Sequence, residues 1–330
     1  MERYKIAEFD RYGREPVLRI MPDHSLLCFF LTGGEKEPGN DNYTAVSRSY
    51  DGGKTWTEPE KVFSHEQRGV WTPELFCEGG TPFAVVHTYA AQSVYRELEN
   101  YFSYTYNSGK TWTEPISPSG PINGCSLRQG IVMSNGEYLF PLYWQEIVAE
   151  FSFTQTTMQN DIAPWPYRCG VGISSDQGVT WQRYGYIRSD VSLWEPNVVE
   201  LQPGNLVMYC RNNKGYLMIS TSCDFGRHWT EPVLSDIPNA DTKVTAIKLE
   251  NQVFMMSNFS QTPGDRTHLA IYRSRNGINF EPLLDIAGAD ERFFYPHACP
   301  DRENRVLFVA YENAKEHDVL KIPYRELGLE

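Results

Sequence analysis

Apolar and polar residues alternate along this chain in short runs, and turn residues close each one. The clearest apolar runs are SLLCFFL, TPFAVVHTY, EYLFPLYW, NLVMYCR, QVFMMSN and RVLFVAY. Their β-branched and aromatic content, with turn signals at both ends, predicts strands. Ahead of each lies another such run: REPVLRI from Arg14, TPELFCE from Thr72, RQGIVMS from Arg128, EPNVVEL from Glu195, KVTAIKL from Lys243 and YPHACPD from Tyr295. These start at positions 14, 72, 128, 195, 243 and 295, in steps of 48 to 67 residues. A third run follows in each unit, and after it a turn phrase: SYDGGKTW, TYNSGKTW, SSDQGVTW, SCDFGRHW and a worn copy, SRNGINF.

Six four-stranded antiparallel units at this period predict an all-β, six-bladed propeller that takes residues 1–330 as a single domain. The sixth unit runs out after DVLKIPY without a turn phrase, and a strand from Tyr4 to Phe9 precedes the first. That N-terminal strand is expected to supply the outer edge of the last blade, which closes the ring and removes an exposed edge. In the turn phrase the Asp or Asn caps backbone N–H groups, the Gly adopts positive φ and the aromatic plugs the hairpin. A residue required in every repeat is structural, so these aspartates are scaffold. The longest step contains FSFTQTTMQNDIAPWPYR, expected as a loop or extended hairpin over one face.

Composition then narrows the function. The chain carries 30 Lys+Arg against 42 Asp+Glu, a net charge of −12, with no basic run; this argues against nucleic acid. A few converging arginines can still bind an anion. The seven cysteines are scattered with no C-x-x-C spacing, which reads as buried free thiols in a reducing compartment. No segment approaches the ~18 apolar residues of a membrane span. The opening MERYKIAEFDRYG lacks the apolar run of a signal peptide, so a cytoplasmic location is expected. No phosphate loop, dinucleotide fingerprint or metal-ligand cluster is present, and no cofactor or metal is expected.

In a propeller the first strands line the axis. Their starts place Arg14, Thr72, Arg128, Glu195, Lys243 (or Thr242) and Tyr295 in one ring. The ends of the second strands add Thr32, His87, Trp144 with Glu146, Arg211, Asn258 and Glu312, and the approaches to third strands add Asp41 and Arg266. Singly, each arginine reads as an inter-blade ion pair. Jointly, three guanidinium groups around one axis make a rigid donor set for a carboxylate. A Tyr beside a Glu can pass its proton to the carboxylate as it attacks.

These residues give the chain a resemblance, over essentially its whole length, to the sialidase (neuraminidase) superfamily in its Asp-box-repeat branch. Arg14-Glu15-Pro16 leading to Leu26-Leu27 resembles the family's Arg-Ile-Pro and Leu-Leu pattern. Glu195 followed by Val199-Glu200-Leu201 and Arg211, the strand after Arg266, and Tyr295 with the Glu312 of Val309-Ala310-Tyr311-Glu312 resemble its remaining site motifs. The resemblance implies that Arg14, Arg211 and Arg266 bind a substrate carboxylate, with Arg128 as a further substrate-binding candidate. It implies that Tyr295 is the nucleophile, Glu195 activates it, Glu312 braces Arg14 and Asp41 is the general acid/base. The implied activity is an exo-acting retaining glycosidase that releases a terminal acidic sugar, sialic acid foremost, from a glycan. Glu15 in place of the family's Ile and Pro296 in place of its Ser sit beside the site and bear on which sugar is taken. Two alternatives stand: the same fold acting as glycosidase or lyase on a uronide or arabinan, and a glycan-binding propeller without turnover.

Overall fold

A computed structural model describes residues 1–93, 95, 97–145, 167–286, 292–313 and 316–329. Most of the FSFTQTTMQNDIAPWPYR segment, and Glu146, lie outside the described residues. Six antiparallel sheets are arranged as a propeller, as the repeats predict. Blade 1 consists of Gly13–Ile20, Leu26–Thr32, Tyr43–Ser49 and Glu60–Phe63. Blades 4 and 5 run Trp194–Gln202 to Val233–Pro238 and Thr245–Leu249 to Glu281–Asp285. In blade 2 the first strand is split into Gly69–Val70 and Glu74–Phe76, and in blade 3 into Ser126–Leu127 and Ile131–Val132. The outermost pairing of blade 2 is reduced to one bridge, Phe102 to Ile116.

Blade 6 contains Phe293–Asp301, Val306–Asn313 and Glu316–Pro323, and its outer strand is the N-terminal Glu2–Glu8. That strand pairs antiparallel with Glu316–Pro323 from Glu2↔Lys321 to Glu8↔Glu316. The ring is thus closed by hydrogen bonds between the two ends of the described chain.

Second strands such as Leu26–Thr32 and Phe83–Tyr89 are buried at every position, because each packs against a neighbouring blade on both faces. The core therefore divides into seams. Val17, Leu27 and Phe29 of blade 1 meet Val70, Leu75 and Val86 of blade 2. The closing seam sets Leu18, Cys28 and Phe30 against Phe308, Val319 and Ile6. Each large apolar side chain so buried contributes about 1.5–3 kcal/mol relative to exposure.

The turn phrases join third to fourth strands. In the first, the amides of Lys54 and Thr55 donate to Asp51 Oδ1 at 3.0 Å, Gly53 N donates to Ser49 Oγ at 2.9 Å, and Trp56 Nε1 donates to the Gly53 carbonyl at 3.0 Å. Those donors hold Asp51 down at about 2. The same bonds recur around Asp176 and Asp224. All seven cysteines are free, and five are buried.

Candidate active site on the propeller axis

Three first strands carry the same kink. Glu15, Glu195 and Tyr295 have φ of 50°, 45° and 49°, and each precedes a proline. The register with the second strand slips at each of them: between Arg14 and Val17, Trp194 and Asn197, and Phe294 and His297. A side chain other than glycine held in this region costs on the order of 1–3 kcal/mol, and a residue before proline ordinarily stays extended. The bulge takes the side chain out of the strand's period-2 alternation. Glu15, Glu195 and Tyr295 are all buried. Glu15, not Arg14, is therefore the blade-1 counterpart of Glu195 and Tyr295, one residue later than the repeat spacing suggests.

Arg14 and Arg266 converge on Tyr295. Arg14 Nη2 donates to the Tyr295 hydroxyl at 3.1 Å. The two guanidinium carbons stand 5.3 and 5.2 Å from the centre of the Tyr295 ring. Burial pushes the Tyr295 phenol up; Arg14 draws it down, Glu15 raises it, and Arg266 and Arg211 lower it further. Arg211 lies 5.6 Å from the Trp194 ring.

The three arginines differ in how their charge is met. Arg14 Nε is 3.5 Å from Glu312 and its Nη1 3.9 Å from Glu37. Arg211 Nη1 donates to Glu195 at 2.6 Å and its Nε to Asp241 at 2.8 Å. Arg266 has no carboxylate partner among the described residues, and its Nη1 is buried without a hydrogen-bond partner. Burial pushes Glu312 up to about 7 against the pull of Arg14. Glu195 goes the other way, down to about 2, because Arg211 and Arg128 outweigh its burial.

Beneath this cluster Arg128 Nη1 is 3.7 Å from Glu15. Lys243 is buried with its Nζ unpartnered, and its ammonium is disfavoured by burial and by Arg128. His87 is not a pocket residue: its Nε2 accepts from Leu127 N at 3.0 Å in the core, and burial pushes it down to about 3. Among the described residues no group of three His, Cys, Asp or Glu could hold a metal ion.

The structure thus brings together Arg14, Arg211, Arg266, Glu195, Tyr295, Glu312 and Arg128 around the axis. It shows no hydrogen bond between Tyr295 and Glu195: the phenol takes Arg14 and the carboxylate takes Arg211. Asp41 is exposed on the loop before Tyr43–Ser49, with no side-chain hydrogen bond or ion pair among the described residues. Glu15, Glu37 and Asp241 are site carboxylates that the strand pattern did not select. The proline after Glu15, matching Pro196 and Pro296, was the available signal for the first; Glu37 and Asp241 lie outside strands and had none.

A six-bladed propeller of four-stranded blades, with an arginine-rich cluster at the hub, defines an architecture shared with the sialidases. The chain belongs to the BNR repeat-like domain family, whose model matches residues 24–307. It is 24% identical over 313 residues to a sialidase of Bacteroides fragilis (strain YCH46); the match covers 82% of this chain and 54% of that protein, so the chain spans about half its length. Among solved structures, the Hadza microbial sialidase Hz136 superimposes with a TM-score of 0.75 at 19% identity, covering 96% of this chain and 67% of the other. A Dyadobacter fermentans DSM 18053 protein described as of unknown function superimposes with a TM-score of 0.75 at 18% identity over 98% of both chains.

Proposed function

We propose that this chain is a sialidase-type glycoside hydrolase. It removes a terminal acidic sugar, sialic acid foremost, from a glycan, with retention of configuration and Tyr295 as nucleophile. The observation that carries this reading is Arg266. A buried guanidinium nitrogen without an acceptor, facing the same phenol as Arg14, is a site built for an incoming carboxylate, since an unpaired buried charge is costly until a ligand meets it. A neutral phenol also suits a reacting carbon that already bears a carboxylate, because like-charge repulsion is avoided.

The phenol must lose its proton as its oxygen bonds to the anomeric carbon, and burial opposes its prior ionisation. Glu195 is the proposed acceptor, but its ion pair with Arg211 makes it a weak base. The substrate carboxylate competes for Arg211, loosens that pair and frees Glu195 to take the proton. Glu312 holds Arg14 in place throughout.

The test is turnover of a fluorogenic sialoside beside uronide and arabinoside analogues, in wild type and in Tyr295→Phe. Wild type is expected to cleave the sialoside and Tyr295→Phe to lose turnover with its fold intact; near-wild-type activity in the variant sinks the mechanism. Preferential cleavage of a sugar without a carboxylate sinks the arginine argument. The missing Tyr295–Glu195 hydrogen bond favours a second reading, a glycan-binding propeller without turnover. In that case wild type binds the sialoside and releases no sugar.

A further inference from the structure

The reaction proposed above also needs a group that gives a proton to the departing oxygen and later takes one from water. The loop between the second and third strands of blade 1, residues 33–42, carries a carboxyl beside Arg14. Asn42, 2% exposed, staples this loop to itself: its Nδ2 donates to the carbonyls of Gly33 at 2.6 Å and Lys36 at 3.1 Å, while its Oδ1 accepts from Gly39 N at 2.8 Å and from the Tyr89 hydroxyl. Tyr12 adds a bond to the Gly33 carbonyl at 2.5 Å. A loop so fixed holds its side chains in place without a ligand.

Glu37 sits at the middle of this loop with its side chain 13% exposed. Its Oε1 accepts from the Tyr95 hydroxyl at 2.7 Å, and Tyr95 is stacked on Trp71 with ring centres 4.7 Å apart. Its Oε2 is 3.9 Å from Arg14 Nη1, on the guanidinium whose Nη2 binds Tyr295. One arginine therefore spans the phenol and this carboxyl.

We propose that Glu37, rather than Asp41, is the proton donor and acceptor of the reaction; the assignment rests on the glycosidase reading above. As the Tyr295 oxygen bonds to the anomeric carbon, the glycosidic C–O bond breaks and its electron pair stays on the leaving oxygen, which takes the Glu37 proton. In the second step water attacks the anomeric carbon, its proton passes to the Glu37 carboxylate, and the bond to the Tyr295 oxygen breaks; the phenol recovers its proton from Glu195. Atoms and charge return to the starting state.

The surroundings of Glu37 suit both halves of this cycle. Burial, then Glu15, push it up to about 7, against Arg14 and the Tyr95 hydroxyl, with Glu195 raising it further. Tyr12, Tyr89 and Glu312 also feel its charge. A carboxyl that is half-protonated near neutrality can act as acid and then as base.

The test compares two leaving groups in wild type, Glu37→Gln and Asp41→Asn: a fluorogenic sialoside, whose phenolic leaving group needs little protonation, and a sialyl-oligosaccharide, whose alcohol leaving group needs it. For Glu37→Gln a loss of about 10²–10⁴-fold is expected on the oligosaccharide, a much smaller loss in bond cleavage of the fluorogenic substrate, and partial rescue by azide, which attacks without a base. The alkaline limb of kcat/KM near pH 7 disappears in Glu37→Gln. It moves to higher pH in Tyr95→Phe, because the lost hydrogen bond had favoured the carboxylate. Equal losses on both substrates in Glu37→Gln, no loss at all, or the leaving-group split appearing in Asp41→Asn overturns the assignment while leaving Tyr295 in place. A folded wild type that cleaves no glycoside overturns the glycosidase reading and this assignment with it.

Discussion

At the scale of single residues, the three arginines around Tyr295 are unequally matched, and Arg266 is the one without a carboxylate partner among the described residues. Arg14 has Glu312 and Glu37, and Arg211 has Glu195 and Asp241. Arg266 rests on the rings of Phe294 and Tyr295, 4.7 and 5.2 Å from their centres. Arg266→Ala is therefore expected to weaken binding of an acidic sugar about 10–100-fold, the ~1.5–3 kcal/mol of a charge-assisted hydrogen bond, with little change in Tm because no ion pair is lost. Calorimetric titration and a thermal melt check both halves; an unchanged Kd removes Arg266 from the binding set. The cluster was partly legible at this scale because arginines and a tyrosine at matching repeat positions can be picked out by eye. Glu15 had only the proline after it as a signal, for a physical reason. Strict alternation puts Arg14 and Glu15 on opposite faces of a strand, and only the bulge at Glu15 lets both join one cluster.

At the scale of elements, strands and turns were legible because their signals are periodic and local. The apolar runs gave the second strands, and the turn phrases gave the hairpins between third and fourth strands. What the pattern missed is the breaking of first strands at the hub. Blades 2 and 3 interrupt the strand at Trp71-Thr72-Pro73 and Arg128-Gln129-Gly130, where packing around the axis, not local propensity, decides. The turn aromatics are unequal as well. Trp181 is fully buried in the seam between blades 2 and 3 beside Phe102 and Phe140, whereas Trp56 and Trp229 are only half-buried. Trp181→Ala is expected to cost about 3–5 kcal/mol, and Trp56→Ala clearly less. Urea unfolding of the two variants measures the difference, and equal losses contradict the seam argument.

At the scale of the whole molecule, the ring depends on its closing strand. Removing residues 2–8 leaves the Glu316–Pro323 edge unpaired and strips Ile6 and Ala7 from the closing seam. The truncated protein is expected to melt at lower temperature and to self-associate through the bare edge, as read by a thermal melt and light scattering. The buried titratable groups set a second global property. Glu37 and Glu312 are raised to about 7, so between pH 4.5 and 7 the native state holds protons that the unfolded chain has released, and their contribution falls as pH rises. His87 and His317 are lowered to about 3, and His297 lies well below its usual value, all through burial. Below pH 6.5 the unfolded chain takes up their protons, and their contribution falls as pH drops. The two sets oppose each other between pH 5 and 6.5. Glu37→Gln/Glu312→Gln is therefore expected to lose Tm more steeply than wild type on acidification through that window; parallel curves contradict it.

The left-handed backbone at Glu15, Glu195 and Tyr295 has a bearing on residue choice. Glycine would occupy all three positions with less strain. Acid, acid and phenol before three prolines are therefore held against the backbone's own preference. Glycine at any one of them would relieve strain and remove the side chain together, so at these kinks backbone comfort and side-chain chemistry cannot both be had.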